Sequence, residues 1–144
     1  MNIENFKKTR IKKGLTQKQI ADILKVKRGT YANWECGNDL IPIKQIHNLS
    51  NFYKLSIDYL LGLNTNNKVI IINKNELNLK QISTNLKYIR KKAKLSQKNF
   101  AESININQST WWAYENGKTL ITTHTLIAIY NKYGYSIDYI LNNS

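Results

Sequence analysis

The sequence predicts an all-α protein built from two tandem helical domains joined by a short linker. Residues 5 to 61 align without a gap onto residues 85 to 141, and roughly a third of the aligned positions are identical. Apolar residues within each copy recur at helical spacing, and neither copy alternates apolar and polar residues as a strand would. A copy of about 60 residues needs a fold of short, local elements, which small helical domains provide.

The first two helices of each copy meet at a short loop. In the first copy, Gly14 ends a helix whose spaced residues are Ile3, Phe6 and Arg10. Thr16 and Gln19 form a capping-box pattern that starts a second helix, which runs to about Leu24. The buried stripe of this helix is predicted to be Ile20, Ala21 and Leu24. Its counterpart in the second copy is Ser96 to Ile104.

Three further helices complete each copy. A third helix of about Arg28 to Glu35 follows a three-residue break, turns Tyr31 and Trp34 inward, and stops at Gly37. A fourth helix follows Pro42, which suits a first helical turn, and a fifth runs from about Ser56 to Leu61. The apolar residues of the fourth helix are Ile43, Ile46, Leu49, Phe52 and Tyr53.

The segment between the copies predicts the domain boundaries. Residues 1 to 63 form the first predicted domain, residues 64 to 78 the linker, and residues 79 to 144 the second domain. Val69 to Ile72 is a β-branched run, typical of a strand or of a packed extended segment. It offers either a pairing edge between two chains or a docking segment on one domain. Helical spacing resumes at Leu79, Ile82, Leu86 and Ile89.

The charge balance favours a polyanionic partner. The formal net charge is +13, of which residues 1 to 63 carry +6, residues 64 to 84 carry +2 and residues 85 to 144 carry +5. Both copies are therefore independently basic, which makes nucleic acid the leading partner class and anionic membrane the weaker one. A simple solvated surface remains the alternative, because 19 of the 22 basic residues are lysine.

Several classes of protein are disfavoured by composition. Cys36 is the single cysteine, so the sequence predicts neither a disulfide nor a zinc site. No signal-peptide pattern or membrane-length apolar run is found, and the expected location is the cytoplasm. His47 and His124 lack neighbouring ligands, and no catalytic constellation is visible among nine carboxylates. We therefore expect no cofactor, no bound metal, no membrane association and no enzymatic activity.

The second and third helices carry a specific motif in both copies. It reads "LTQxxxAxxLxVxxxTYxxWExG" from Leu15 and "LSQxxxAxxxxIxxxTWxxYExG" from Leu95. Both copies resemble the Cro/phage-repressor class of helix-turn-helix domain, often called the XRE family. The resemblance covers about 57 residues twice. It implies a five-helix, lambda-repressor-like fold that binds double-stranded DNA.

The physical chemistry of the motif agrees with that resemblance. Such a helix pair can insert one helix into a major groove about 12 Å wide while the other braces it. Ala21 and Ala101 are small enough for the two helices to cross closely. Gln17 and Gln97 begin the bracing helix, where an amide can hold a phosphate oxygen, and a merely solvated polar residue is the alternative interpretation.

Inward Tyr31 and Trp34 leave positions 28, 29, 32 and 33 facing outward, where they can read bases. The resemblance places the principal base contacts at the start of this helix, at Arg28 and Gly29 in one copy and at Gln108 and Ser109 in the other. Arginine suits guanine and glutamine suits adenine, so the copies are predicted to prefer different half-sites.

The full set of predicted DNA-contacting residues spans both copies. In the first it is Gln17, Lys18, Lys27, Arg28, Gly29, Ala32, Asn33 and Asn38. In the second it is Gln97, Lys98, Asn107, Gln108, Ser109, Trp112, Ala113 and Lys118. The resemblance also implies two structural ion pairs, Arg10 with Glu35 and Arg90 with Glu115.

Two positions depart from the family pattern. The turn residue that is usually glycine is Lys25 in one copy and Asn105 in the other. Lysine adopts a left-handed backbone conformation less readily than asparagine, so we expect slight backbone strain at Lys25. Trp112 is bulky for a groove-facing position. It can contact thymine methyls or sugars, pack against a protein partner, or indicate that the second copy no longer reads DNA.

The predicted function is a sequence-specific, double-stranded DNA-binding transcriptional regulator, in particular a repressor of phage or mobile-element type. Two heads on one chain can form a covalent pseudo-dimer, because about 15 extended linker residues reach roughly 50 Å. A homodimer of two such chains is the alternative arrangement. The alternative function is a protein-interaction factor, an antirepressor or inhibitor that autoregulates through the first copy and binds its partner through Trp112 or Val69 to Ile72.

Overall fold

The computed structural model describes residues 4 to 64 and 76 to 142, and these residues form ten α-helices. The chain divides into two compact units, residues 1 to 74 and residues 75 to 144, so the division falls within the predicted linker. No strand occurs in the described ranges, and the all-α tandem fold class is confirmed. Ile3 and the run Val69 to Ile72 lie outside the described residues.

Each unit contains five helices in the same order. The first unit comprises α1 (Glu4–Lys12), α2 (Gln17–Leu24), α3 (Arg28–Cys36), α4 (Ile43–Tyr53) and α5 (Ile57–Leu60). The second unit comprises α6 (Leu79–Lys92), α7 (Gln97–Ser103), α8 (Gln108–Glu115), α9 (Thr123–Tyr133) and α10 (Ile137–Asn142). The predicted helices of the motif agree with these bounds to within a residue at each end.

The cores of the two units use equivalent positions with exchanged aromatic residues. In the first unit, the rings of Tyr31 and Trp34 pack edge to face with centroids 6.3 Å apart. In the second unit, Trp111 and Tyr114 pack edge to face at the same 6.3 Å separation. All four side chains are buried. The tryptophan and tyrosine have changed places, yet the packing geometry of α3 is kept in α8.

The helix starts follow the predicted capping chemistry. The Thr16 hydroxyl accepts from the Gln19 backbone N–H at 3.1 Å, and the Thr16 N–H donates to Gln19 Oε1 at 2.8 Å, which completes the capping box. Ser96 caps α7 through the Asn99 N–H. Pro42 is the N-cap residue of α4, one position before the first helical turn where it was predicted to lie.

One of the apolar residues named on α4 is on the surface. The side chain of Phe52 is 45% exposed, whereas its neighbour Tyr53 is buried. Both residues continue the apolar spacing of Leu49, but Tyr53 is turned towards the core and Phe52 lies at the margin of the buried stripe. Phe52 does remain close to Tyr53, with ring centroids 5.4 Å apart.

Several turns adopt the left-handed backbone conformation without glycine. Lys25 has φ 58° and Asn105 has φ 59°, so the turn of each motif has this conformation. Lys94, which aligns with Gly14, has φ 59°, and Lys54 has φ 56°. A left-handed residue other than glycine costs roughly 1 to 2 kcal/mol. The strain predicted at Lys25 therefore extends to Lys54 and Lys94.

One asparagine in each unit, at aligned positions, links the first helix of the unit to its last helix. The Asn5 side-chain amide donates to the Tyr59 carbonyl at 2.7 Å, and that of Asn85 donates to the Ile140 carbonyl at 2.9 Å. These bonds join the first helix of each unit to its last helix. The short last helix of each unit also packs against the fourth helix, so α5 lies on α1 and α4, and α10 lies on α6 and α9.

Candidate nucleic-acid interface

The turn between the bracing and reading helices has the same hydrogen bonds in both units. The Val26 N–H donates to the Ala21 carbonyl at 2.9 Å, and the Ile106 N–H donates to the Ala101 carbonyl at 3.0 Å. Ala21 and Ala101 are both fully buried at the crossing of the two helices. A larger side chain at either position would separate the helices, because no space is left for it in the core.

The reading helices α3 and α8 each present one buried and one open face. Tyr31, Trp34 and Glu35 are buried, while Arg28, Gly29 and Asn33 are exposed and Ala32 is half-buried. In α8, Gln108 and Ser109 are exposed, Ala113 is half-buried, and the Trp112 side chain is 47% exposed. The predicted base-reading residues of each helix therefore share its open face.

The reading helices begin without a side-chain cap. Lys27 precedes α3 and Asn107 precedes α8, and neither side chain makes a capping hydrogen bond. Asparagine is among the strongest capping residues, yet the Asn107 amide does not cap its own helix. Both residues are exposed, so their side chains point to solvent beside the first turn of the reading helix.

The glycine at the start of α3 leaves open space around it. A Cβ atom placed on Gly29 would meet nothing within 4 Å, so the core imposes no limit on side-chain size there. Its small size therefore has no internal packing reason. The lack of a side chain leaves the backbone of this first turn open to solvent.

The bracing residues lie beside the reading helix. Gln17 and Gln97 are half-buried at the first positions of α2 and α7, and Lys18 and Lys98 are exposed next to them. Lys18 Nζ lies 3.4 Å from Asp22 Oδ2 in an exposed pair on α2. Exposed pairs of this kind contribute little, so Lys18 can exchange this partner for a phosphate.

The residues that follow the reading helices are held by matching turns. The Asn38 N–H donates to the Asn33 carbonyl at 2.9 Å, and the Lys118 N–H donates to the Ala113 carbonyl at 2.9 Å. Gly37 and Gly117 have positive φ at these helix ends. Asn38 and Lys118 are both exposed.

Two buried ion pairs fix the reading helices to the rest of each unit. Arg10 Nε and Nη2 lie 3.0 Å and 2.8 Å from the Glu35 carboxylate oxygens, and Nη1 donates to the Leu15 carbonyl at 2.8 Å. Arg90 meets Glu115 at 2.6 Å and 3.0 Å and donates to the Leu95 carbonyl at 2.9 Å. The structure thus brings together both arginine–glutamate pairs that the resemblance implies.

The ionisation of the first pair is stabilised by this geometry. Burial by itself raises the pKa of Glu35, but the Arg10 hydrogen bonds and charge lower it below the ordinary value of 4.5. The Glu35 hydrogen bond raises the pKa of Arg10. Burial raises the pKa of the neighbouring Tyr53 to about 12. The pair therefore remains charged at neutral pH.

The second unit adds a donor to its ion pair. The Trp111 indole N–H donates to Glu115 Oε2, so the aromatic residue buried under α8 also holds the carboxylate. Sequence reasoning turned Tyr31 inward, did not assign its counterpart Trp111, and did not predict this bond. It likewise missed Asn5 and Asn85, although their identity at matching positions of the repeat was a usable signal.

The described residues hold neither a cluster of metal ligands nor a helix of membrane-spanning character. No group of three or more histidine, cysteine or acidic side chains lies within metal-binding reach there. No described helix combines the length and the apolar character that crossing a bilayer requires. Cys36 is a free, exposed cysteine at the end of α3.

The fold and these two open faces define a tandem protein of the helix-turn-helix class. The family profile described as "Helix-turn-helix domain" matches residues 3–65 and 83–144, and the chain belongs to this family. The Cro/phage-repressor resemblance read from the two motifs is thereby confirmed.

Two curated proteins of Bacillus subtilis (strain 168) are similar to stretches of this chain that are about as long as one copy of the repeat. The "Uncharacterized HTH-type transcriptional regulator YqaE" is 42% identical over 66 residues, which cover 46% of this chain and 57% of that protein. The "SPbeta prophage-derived uncharacterized HTH-type transcriptional regulator YonR" is 38% identical over 58 residues, 40% of this chain and 54% of that protein. The chain thus spans about half the length of these relatives. No solved structure matches it.

Proposed function

We propose that this protein is a sequence-specific, double-stranded DNA-binding transcriptional regulator. The observation that carries the proposal is the open face of each reading helix, which is held on a buried arginine–glutamate pair beside a bracing helix that exposes a lysine at its second position, Lys18 or Lys98. In this proposal α3 and α8 enter major grooves, and α2 and α7 lie on the backbone. Gln17 and Gln97 grip phosphates, while Arg28 and Gln108 read bases.

The comparisons support the regulatory role. Both relatives carry names of HTH-type transcriptional regulators, and one of those names refers to a prophage. A repressor of phage or mobile-element type is the particular role that we propose. Such a regulator acts in the cytoplasm, and its proposed activity is binding rather than catalysis.

The two heads on one chain act together in this proposal. A helix-turn-helix protein gains affinity by placing two reading helices in successive major grooves about 34 Å apart. The predicted linker of residues 64 to 78 is long enough to allow this, so one chain can serve as its own pseudo-dimer. A homodimer would instead place four heads on the DNA.

A second candidate function rests on the exposed indole of α8. Trp112 is 47% exposed, and an exposed aromatic residue can anchor a protein partner. In that case the second unit would bind a protein, as an antirepressor or inhibitor does, and the first unit would keep the DNA-binding role. The run Val69 to Ile72 is the other candidate contact for such a partner.

Selection of bound duplexes from a random pool distinguishes the two candidates. The full chain is used alongside a Trp112→Ala variant, and the enriched sequences are read after several rounds. Regulation through both heads predicts a site with two half-sites, and Trp112→Ala should alter only one of them. Enrichment of a single half-site that Trp112→Ala leaves unchanged would favour the protein-interaction candidate, and no enrichment at all would reject the proposed function.

A further inference from the structure

The two reading faces carry different charges on the same backbone geometry. Three cationic side chains of the first unit, at the turn and at the start of α3, are replaced by three amides in the second unit. The first set is Lys25, Lys27 and Arg28, and the second set is Asn105, Asn107 and Gln108. All six residues are exposed. The part of the surface closest to the bases is therefore strongly basic in one unit and neutral in the other.

The positive charge of the second unit lies beside the bracing helix, where the first unit also exposes Lys12, Lys13 and Lys18. Lys91, Lys92, Lys94 and Lys98 are all exposed around the start of α7, and the aligned positions of Lys91 and Lys94 hold Ile11 and Gly14 in the first unit. Residues at the start of a bracing helix meet the DNA backbone. The second unit thus keeps its phosphate-binding charge but has no cation among its base-reading residues at the start of α8.

The neutral face of α8 has the chemistry that recognises A·T base pairs. The amide of Gln108 can bond adenine N6 and N7 together, and an apolar group can contact the C5-methyl of thymine. Trp112 lies one helical turn after Gln108, so the indole and the amide share the open face. The Asn107 amide, which caps no helix, adds a third neutral group beside them.

The same surface is poorly suited to a protein partner. A protein-binding patch is contiguous and apolar, whereas the outward neighbours of Trp112 on α8 are Gln108, Ser109 and Ala113. Four exposed lysines flank the bracing helix next to it. The exposed indole has amides beside it and lysines around it. This arrangement suits the edge of a base pair, which lies between two phosphate backbones.

We propose that the second unit reads an A·T-rich half-site, with Gln108 on adenine and Trp112 on a thymine methyl, while the first unit reads a guanine-containing half-site through Arg28. The target of the whole chain is then an asymmetric duplex rather than a palindrome. This inference rests on the proposed function, because it assigns a base preference to each of its two heads.

Deoxyuridine substitution tests the thymine contact directly, because it removes only the C5-methyl group. The full chain is titrated with a synthetic duplex of the selected site and with the same duplex carrying deoxyuridine in the second half-site. We expect about a fourfold loss of affinity, the effect of one methyl group that is no longer buried. The same substitution in the first half-site should change nothing.

Protein variants connect that loss to the indole. Trp112→Ala should bind the thymine and deoxyuridine duplexes equally. Gln108→Ala should lose about tenfold in affinity and relax the preference at one A·T pair. Tyr88→Ala is the matched control, since Tyr88 is a 51% exposed aromatic residue of the same unit on α6, and it should keep the full deoxyuridine effect.

The outcomes separate this inference from the function on which it rests. Two identical guanine-containing half-sites would overturn the inference and leave DNA-binding regulation intact. A deoxyuridine effect that persists in Trp112→Ala would also overturn it. Unchanged duplex affinity in Trp112→Ala would likewise overturn it, because the indole would then make no contact with the DNA. If the full chain bound no duplex at any salt concentration, the proposed function itself would fail.

Discussion

Glu35 is the residue on which the geometry of the first reading helix depends. Its buried carboxylate accepts hydrogen bonds from two Arg10 nitrogens. Arg10 also donates to the Leu15 carbonyl and so holds the loop that precedes α2. Three segments therefore meet at one ion pair. Breaking such a pair from one side leaves the other charge buried without a counter-ion and costs about 3 to 5 kcal/mol.

The acid sensitivity of the first unit should depend on this carboxylate. The folded pKa of Glu35 lies below its ordinary value of 4.5. Its stabilising contribution is therefore fully present above about pH 4.5 and is lost as the pH falls through the lower, folded pKa. Glu35→Gln should lower stability at neutral pH and flatten the acid limb of the stability curve, as measured by urea unfolding across pH. Glu4→Gln is the control, because Glu4 lies in an exposed pair with Lys8. Equal acid limbs in Glu35→Gln and the wild type would contradict this role.

The left-handed lysines make a second prediction at this scale. Lys94 has φ 59° at the position where the first unit has Gly14. Lys94→Gly should stabilise the second unit by about 0.5 to 1 kcal/mol, since glycine adopts this conformation without the steric cost. Thermal unfolding measures the change. Lys87→Gly, within helix α6, is the control and should destabilise by about 1 kcal/mol. A destabilised Lys94→Gly would show that the lysine side chain itself is needed there.

At the scale of the helices, bracing and reading are separable tasks. Gln17→Ala should weaken binding to all duplex sequences alike, because a phosphate contact carries no sequence information. Arg28→Ala should instead cost about 1 to 3 kcal/mol on the preferred duplex and relax the preference at one or two positions. Competition binding against single-base variants of the site distinguishes these patterns. Lys8→Ala removes one cation from the exposed side of α1 and should leave the base preference intact.

Most of the helical organisation could be predicted because it is local. Thr16 and Gln19 mark the start of α2, and Gly37 marks the end of α3. Each signal lies within four residues of the helix boundary that it predicts. The face of α4 could not be assigned completely, because both Phe52 and Tyr53 continue its apolar spacing and only tertiary packing buries one of them. The bond from Asn5 to the Tyr59 carbonyl spans 54 positions, and the left-handed Lys54 and Lys94 have no signature in residue type.

The candidate interface was predictable for the same reason, through its repeated motif. Every predicted contact residue, from Gln17 to Lys118, is exposed or half-buried. For the residues on α3 and α8, this state follows from the helical spacing of the buried aromatics. The motif could not reveal the free Asn107 amide, since asparagine at a helix start usually caps it. It also could not reveal that Trp111 donates to Glu115. The contact roles of these residues remain a proposal.

At the scale of the whole molecule, two units with separate cores and separate ion pairs should unfold independently. Glu35→Ala should remove amide protection from residues 4 to 64 and leave residues 85 to 141 protected, as hydrogen exchange measured by mass spectrometry can show. Glu115→Ala is the reciprocal variant. Loss of protection spreading evenly over both units would mean that they fold as one cooperative body.

The central claim is that the whole chain binds duplex DNA through many phosphates and chooses among sequences through two reading helices. The most direct measurement is the affinity of the full chain for its selected duplex and for a scrambled duplex over a range of salt concentrations. Each neutralised phosphate should add about −0.9 to the slope of log affinity against log salt. We predict a steep slope on both duplexes, with tighter binding to the selected one at every salt concentration. A flat salt response, or equal affinities for the two duplexes, would contradict the claim.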